Sequence, residues 1–137
     1  MAEFDPRSDY PLGARRPDLV STPSGLPFEE LTLEALRAGR IVSSDMRATP
    51  ETLRRQSEVA EASARTQLSE NLARAAELTA VPDEVVLEIY TALRPHRSTA
   101  AELDAWAARL EGEFGAAASA AFVREAKLAY TERRLLA

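Results

Sequence analysis

Beyond residue 31, apolar residues recur at intervals of three and four, the spacing of one face of an α-helix, and prolines, glycines and polar clusters punctuate them. Thr32 can cap a short helix carrying Leu33 and Leu36, which Gly39 ends by taking a left-handed conformation. Thr49-Pro50-Glu51 is a stronger start signal. The threonine hydroxyl accepts an orphan amide, proline suits the first helical position, and Glu51 complements the positive helix end. No Gly or Pro follows until Pro82. Leu53, Ala60, Ala64, Leu68, Leu72, Ala75, Ala76 and Leu78 keep near-helical spacing, which predicts a helix to Val81 with a bend around Arg65–Ser69, where the stripe shifts.

Pro82 opens another helix with Asp83 and Glu84 in its first turn, and Val85, Val86, Ile89, Tyr90 and Leu93 form its apolar stripe. Arg94-Pro95 stops it. Thr99 and Glu102 have capping-box spacing, with Ser98 as a rival cap, ahead of Leu103, Trp106, Ala107, Leu110 and Phe114. Gly112 and Gly115 are expected to break that helix. A last one runs from about Ala116 to Leu135, with Phe122, Val123, Ala126, Ala129 and Tyr130 on one side. No alternation suggests a sheet, and no fixed period suggests a repeat. The fold class is therefore all-α: a small multi-helix domain over residues 32–137 behind an extended Pro-rich N-terminal arm, residues 1–31.

The arm is set apart by its prolines. Five of the chain's eight, Pro6, Pro11, Pro17, Pro23 and Pro27, fall in it. Proline removes an amide donor and biases its predecessor away from helix, so this stretch reads as extended. Phe4, Tyr10, Leu12, Leu19 and Val20 are spaced like anchors laid across another surface. The helical part has a related shortage, because 26 of the 137 residues are alanine. Burying a Leu or Phe contributes roughly 1.5–3 kcal/mol, whereas alanine offers one methyl group. A shallow core of this kind is expected to be completed by a partner.

A net charge of −5 argues against sequence-independent nucleic-acid binding. Without cysteine the chain has no disulfide, thiolate metal site or thiol nucleophile, in keeping with a reducing cytoplasm. No apolar run approaches the length of a membrane span, and the first residues do not read as a signal peptide. His96 is the sole histidine, in the sequence Arg94-Pro95-His96-Arg97, and it reads as a solvated or interface loop. Ser43 and Ser44 before Asp45 resemble helix-cap chemistry, and the glycines form no phosphate loop. No residue is assigned to catalysis, to a cofactor or to a metal. Arg47, Arg94, Arg97 and Arg124 lie beside caps, prolines or an apolar face, where a planar guanidinium either braces a loop or bridges to a partner. Trp106 reads as core. Taken alone, these residues describe a small acidic helical interaction module.

Several segments together resemble a known family. Asp9-Tyr10-Pro11-Leu12 comes first, then Asp45-Met46-Arg47 with Thr49-Pro50-Glu51-Thr52-Leu53. Arg74-Ala75-Ala76-Glu77-Leu78, Val81-Pro82-Asp83-Glu84, Glu88-Ile89-Tyr90 and Ala92-Leu93-Arg94-Pro95 follow, with Arg97-Ser98 and finally Ala120-Ala121-Phe122-Val123-Arg124-Glu125. From about Asp9 to Leu135 their order and spacing resemble the small subunit of adenosylcobalamin-dependent propanediol and glycerol dehydratases. The resemblance implies an assembly of large, medium and small subunits, built as a pair of heterotrimers in the cytoplasm or inside a bacterial microcompartment. It implies that adenosylcobalamin is held by the large and medium subunits, not by this chain. The reaction implied turns a vicinal diol into an aldehyde and water by a radical route, with the hard step carried by the cofactor. The small subunit would brace the large one without a catalytic side chain. Tyr10, Pro11, Leu12, Arg47, Arg94, Arg97, Phe122 and Arg124 are the candidate interface residues.

The chain departs from the family pattern in two places. His96 stands where an aromatic residue is expected, and the arm lacks the longer extension of some microcompartment-linked small subunits. Thr22-Pro23-Ser24-Gly25 leans toward glycerol dehydratases and Asp45-Met46-Arg47 toward diol dehydratases, so the substrate stays open between them. The rival readings are a free-standing helical adaptor that binds other proteins, a small enzyme in its own right, and a DNA-binding helix pair that the charge disfavours.

Overall fold

The computed structural model describes residues 3–137. Among these described residues seven α-helices run in order: α1 (Leu12–Arg15), α2 (Leu33–Arg37), α3 (Pro50–Ala62), α4 (Thr66–Leu78), α5 (Asp83–Ala92), α6 (Ala100–Phe114) and α7 (Ala117–Arg133). Among the described residues there is no strand, only an isolated bridge between Ser21 and Pro27. The all-α expectation holds. The chain divides into two compact units, Met1–Ala76 and Glu77–Ala137.

The second unit carries the apolar core. Val81, Ile89, Leu103, Ala107, Leu110, Ala116, Ala120 and Val123 are buried together, with Trp106, Phe114, Tyr130 and Leu93 packed around them. Alanine is functional here: Ala107, Ala116 and Ala120 are fully buried, and their small side chains allow helices to approach closely. Thr99 and Glu102 form the predicted capping box, with Glu102 N–H donating to Thr99 Oγ1 at 3.3 Å and Thr99 N–H to Glu102 Oε2 at 2.8 Å. Ser98 has a different task. Its hydroxyl donates to the Ala92 carbonyl at 2.9 Å, closing the end of α5.

Gly112 does not break α6, which runs through it to Phe114. An isolated glycine costs about 1 kcal/mol in a helix, too little to interrupt one held by buried Leu103, Ala107 and Leu110. The stop is Gly115, at φ +65°, which lets the Ala116 amide donate back to the Leu110 carbonyl at 2.9 Å. A short turn then returns the chain as α7.

In the first unit the Pro-rich segment is partly coiled within its extended course. It holds α1 and the 3-10 turns Pro17–Leu19 and Phe28–Glu30. The Phe28 ring lies over α1, so close that a Cβ on Gly13 would sit 3.1 Å from it. The caps read from the sequence are present: Thr32 accepts from Ala35 N–H at 3.1 Å and Thr49 from Thr52 N–H at 3.3 Å. One expectation needs correction. The single bent helix from Thr49 to Val81 is two helices, because Ala64 takes a left-handed conformation (φ +57°) and Arg65 N–H returns to the Ala60 carbonyl at 2.8 Å. Only the terminating hydrogen bond marks this stop, since alanine carries none of glycine's signal.

Candidate subunit interface

In the first unit polar anchors accompany the buried Leu12, Ala35, Ile41, Val59, Ala60 and Ala76. Arg16 donates to Asp9 at 2.9 Å and to Asp18 at 3.0 Å. The Asp5 amide, and after it Arg16, draw the Asp9 carboxyl below its ordinary value, while Arg16 does the same for Asp18. Arg55 reaches back to the Leu19 carbonyl at 2.7 Å, and the Ser57 hydroxyl donates to the Ser69 carbonyl at 2.8 Å. Asp45 is the deepest of these anchors, 4% exposed. Its Oδ2 accepts the Val42 amide at 2.9 Å, and Oδ1 has no hydrogen-bond partner among the described residues. The Ser24 hydroxyl, then the Val42 amide and the Thr22 hydroxyl, hold its pKa below the ordinary carboxylate value despite burial.

The same unit turns large apolar side chains outward. In α2 the buried residue is Ala35, at 1% exposure, while Leu33 is 71% and Leu36 53% exposed. This helix is inverted: its one methyl faces in and its leucines face out. Val42 and Met46 are exposed in the 3-10 turn that follows, Met46 at 76%. The short helix carrying Leu33 and Leu36 was expected from the sequence, but not the side to which they turn. The signal available in the sequence was the alanine between them, in a helix too short to bury both faces.

The residues expected at an interface are distributed over both units. In the first, Tyr10 and Pro11 are exposed, joined by a cis peptide. Leu12 is 3% exposed, so it holds α1 in place rather than presenting itself. Arg47 is exposed but already engaged within the chain. In the second, Arg94 and Arg97 are exposed on the loop after α5, and neither guanidinium has a partner among the described residues. Phe122 is 44% exposed, whereas its neighbour Val123 enters the core. Arg124 bridges to Glu111 of α6 at 2.5 Å, an internal brace.

A further functional group in the second unit was not foreseen. α7 begins without a side-chain cap of its own. Glu77 supplies one from a distance in sequence: its carboxylate accepts Ala118 N–H at 2.9 Å, Ser119 N–H at 2.8 Å and the Ser119 hydroxyl at 2.7 Å. A carboxylate on a helix N-terminus is favoured by both the orphan amides and the macrodipole. No spacing rule reveals it, because the partners are more than 40 residues apart.

Among the described residues no group of three or more His, Cys, Asp or Glu side chains is placed to hold a metal. His96 sits on a turn at φ +60°, its Nδ1 3.4 Å from the Leu136 carbonyl. No helix of the described residues is long and apolar enough to cross a membrane.

This chain, with outward apolar positions and unpaired arginines, matches the family model described as dehydratase small subunit over residues 6–137. It is 50% identical over 129 residues to the propanediol dehydratase small subunit of Citrobacter freundii, a match covering 94% of this chain and 75% of that protein. It is equally similar, 50% over the same span and the same shares, to the propanediol dehydratase small subunit of Salmonella typhimurium. A small subunit works as one part of a multi-subunit enzyme, and the chain belongs to the dehydratase small-subunit family.

Proposed function

We propose that this chain is the non-catalytic small subunit of an adenosylcobalamin-dependent dehydratase that converts a vicinal diol, 1,2-propanediol or glycerol, into an aldehyde and water. In this reading it joins large and medium subunits as a pair of heterotrimers and braces the large, catalytic one. The observation that carries the bracing role is the inverted α2, whose Leu33 and Leu36 face solvent over a buried Ala35. Exposed apolar side chains grouped in this way mark a protein-binding surface. Further proposed contacts are Tyr10, Pro11 and Arg47 in the first unit and, separately, Arg94, Arg97, Phe122 and Arg124 in the second, with Leu12 supporting the turn that presents Tyr10 and Pro11.

The cofactor does not fit this chain's own residues. The sole histidine lies on an exposed turn beside the Leu136 carbonyl. Two depressions among the described residues, one along Ala64–Asn71 and one between Leu87 and Trp106, are open and lined by few groups that could hold a corrin. Adenosylcobalamin belongs, on this reading, with the large and medium subunits, where it supplies the radical that starts the reaction. The small subunit acts on the rate only through the stability and geometry of its partner. The protein would work in the cytoplasm, free or in a microcompartment.

Reconstitution tests this. Large and medium subunits with adenosylcobalamin should dehydrate diol durably when this chain is added and lose activity faster without it. This chain with cofactor alone should be inactive. Turnover by the chain alone, or an unchanged lifetime of the complex without it, contradicts the proposal.

A further inference from the structure

The loop after α5 and the C-terminal tail meet at one end of the second unit. His96 N–H donates to the Leu135 carbonyl at 2.7 Å, and Ala137 N–H to the Ser98 carbonyl at 3.0 Å. These bonds bring Arg94 and Arg97 to the place where Arg133 and Arg134 close α7. All four are exposed, and none of the four guanidiniums has a hydrogen-bond or ion-pair partner among the described residues. In a chain of net charge −5 this is a local reversal of sign. Arg109, Arg124 and Lys127 of the same unit are, by contrast, paired with Glu113, Glu111 and Asp104.

Arginines near helix C-termini can serve simply to satisfy the final carbonyls. Here that work is already done. The Ser98 hydroxyl takes the Ala92 carbonyl, the Tyr130 hydroxyl takes the Leu93 carbonyl, and Leu135 N–H takes the Tyr130 carbonyl. The guanidiniums are left over. Arg97 also borders an open groove whose apolar lining is Leu87, Ala92 and Trp106 and whose polar lining is Glu88, Thr91 and Ser98. Apolar walls beside a cationic patch suit a segment that is both apolar and acidic, and arginine binds carboxylates in a planar, two-pronged geometry.

We propose that Arg94, Arg97, Arg133 and Arg134 dock an acidic segment of the large dehydratase subunit, which sets an apolar side chain between Leu87 and Trp106. This rests on the reading of the chain as a dehydratase subunit. It adds the C-terminal arginines to the contact and fixes the chemistry of what they meet.

The test is the affinity of the full-length chain for the rest of the dehydratase, measured at low and high salt. The comparison is a variant with Arg94→Gln, Arg97→Gln, Arg133→Gln and Arg134→Gln. The variant should keep its helical circular dichroism and bind at least about 30-fold more weakly, with most of the salt dependence gone. Binding within about twofold of wild type by the folded variant overturns this inference alone. If the variant fails to fold, wild-type binding decides: a steep fall with salt supports the inference and a flat response overturns it. No binding by the wild-type chain overturns the subunit reading and this inference with it. Self-association of the chain alone that the same substitutions abolish overturns it in favour of a second copy.

Discussion

The two units of this chain solve the folding problem in opposite ways. Residues 77–137 bury a continuous apolar cluster, with Leu103 and Leu110 each 1% exposed. The first unit is stitched by polar groups, Arg16 between two aspartates, Arg55 on the Leu19 carbonyl and Asp45 under its turn, while Leu33, Leu36 and Met46 face out. Hydrophobic burial supplies most of the free energy of folding, whereas a hydrogen bond contributes only about 0.5–1.5 kcal/mol net. On the proposed reading, a unit that exposes Leu33 and Leu36 and adds polar anchors to its core keeps that apolar surface for another protein. The second unit also exposes Leu87, Tyr90, Phe122 and Leu128, but around a buried cluster that the first unit lacks on this scale.

Matched leucine substitutions separate the two roles most sharply. Leu110→Ala should cost about 3 kcal/mol of stability in chemical denaturation, because its cavity lies in a packed core. Leu33→Ala with Leu36→Ala should leave denaturation of the chain within about 0.5 kcal/mol of wild type. The same pair should weaken association with the large subunit by about tenfold or more. Equal losses of stability from both would erase the contrast.

Removing a polar anchor from the apolar unit should cost less. Glu77→Ala leaves two amides and a hydroxyl at the start of α7 without their acceptor, for a loss of about 2 kcal/mol in the same denaturation experiment. Unchanged stability would mean that water replaces the carboxylate at no cost.

Acid sharpens the comparison from the polar side. Asp45 has a folded pKa below its ordinary value of 3.8. A depressed carboxylate contributes stability above the unfolded pKa and loses it as pH falls through the folded one. Wild type should therefore exceed Asp45→Asn in stability at neutral pH, and the gap should shrink as pH falls below about 4. A gap that is constant with pH would assign the effect to packing rather than to the charge.

The legible parts of the molecule were those set by local chemistry. Thr32, Thr49 and Thr99 cap as their neighbours predict, and Glu102 completes its box. Two helix ends misled for a physical reason. Gly112 continues a helix because tertiary burial outweighs its propensity, and Ala64 ends one although its side chain gives no warning. The state of the candidate interface residues was only partly legible. Arg94 and Arg97 were identified beside their proline, but a sequence cannot say whether a guanidinium braces or waits. The neighbouring acids decide that, pairing Arg124 and leaving the loop arginines alone. Leu33 and Leu36 carry an ordinary helical spacing, and only the depth of Ala35 reveals which side faces in. Glu77 and Arg16 act on partners that folding brings to them.

Amide hydrogen exchange of the chain, alone and within the reconstituted dehydratase, tests most directly whether the first unit is completed by a partner. The account predicts that assembly slows exchange through α2 and the 43–46 turn by an order of magnitude or more, while core amides around Leu103 and Leu110 exchange at nearly the same rate in both states. Exchange through α2 that is as fast in the complex as in the free chain would contradict it.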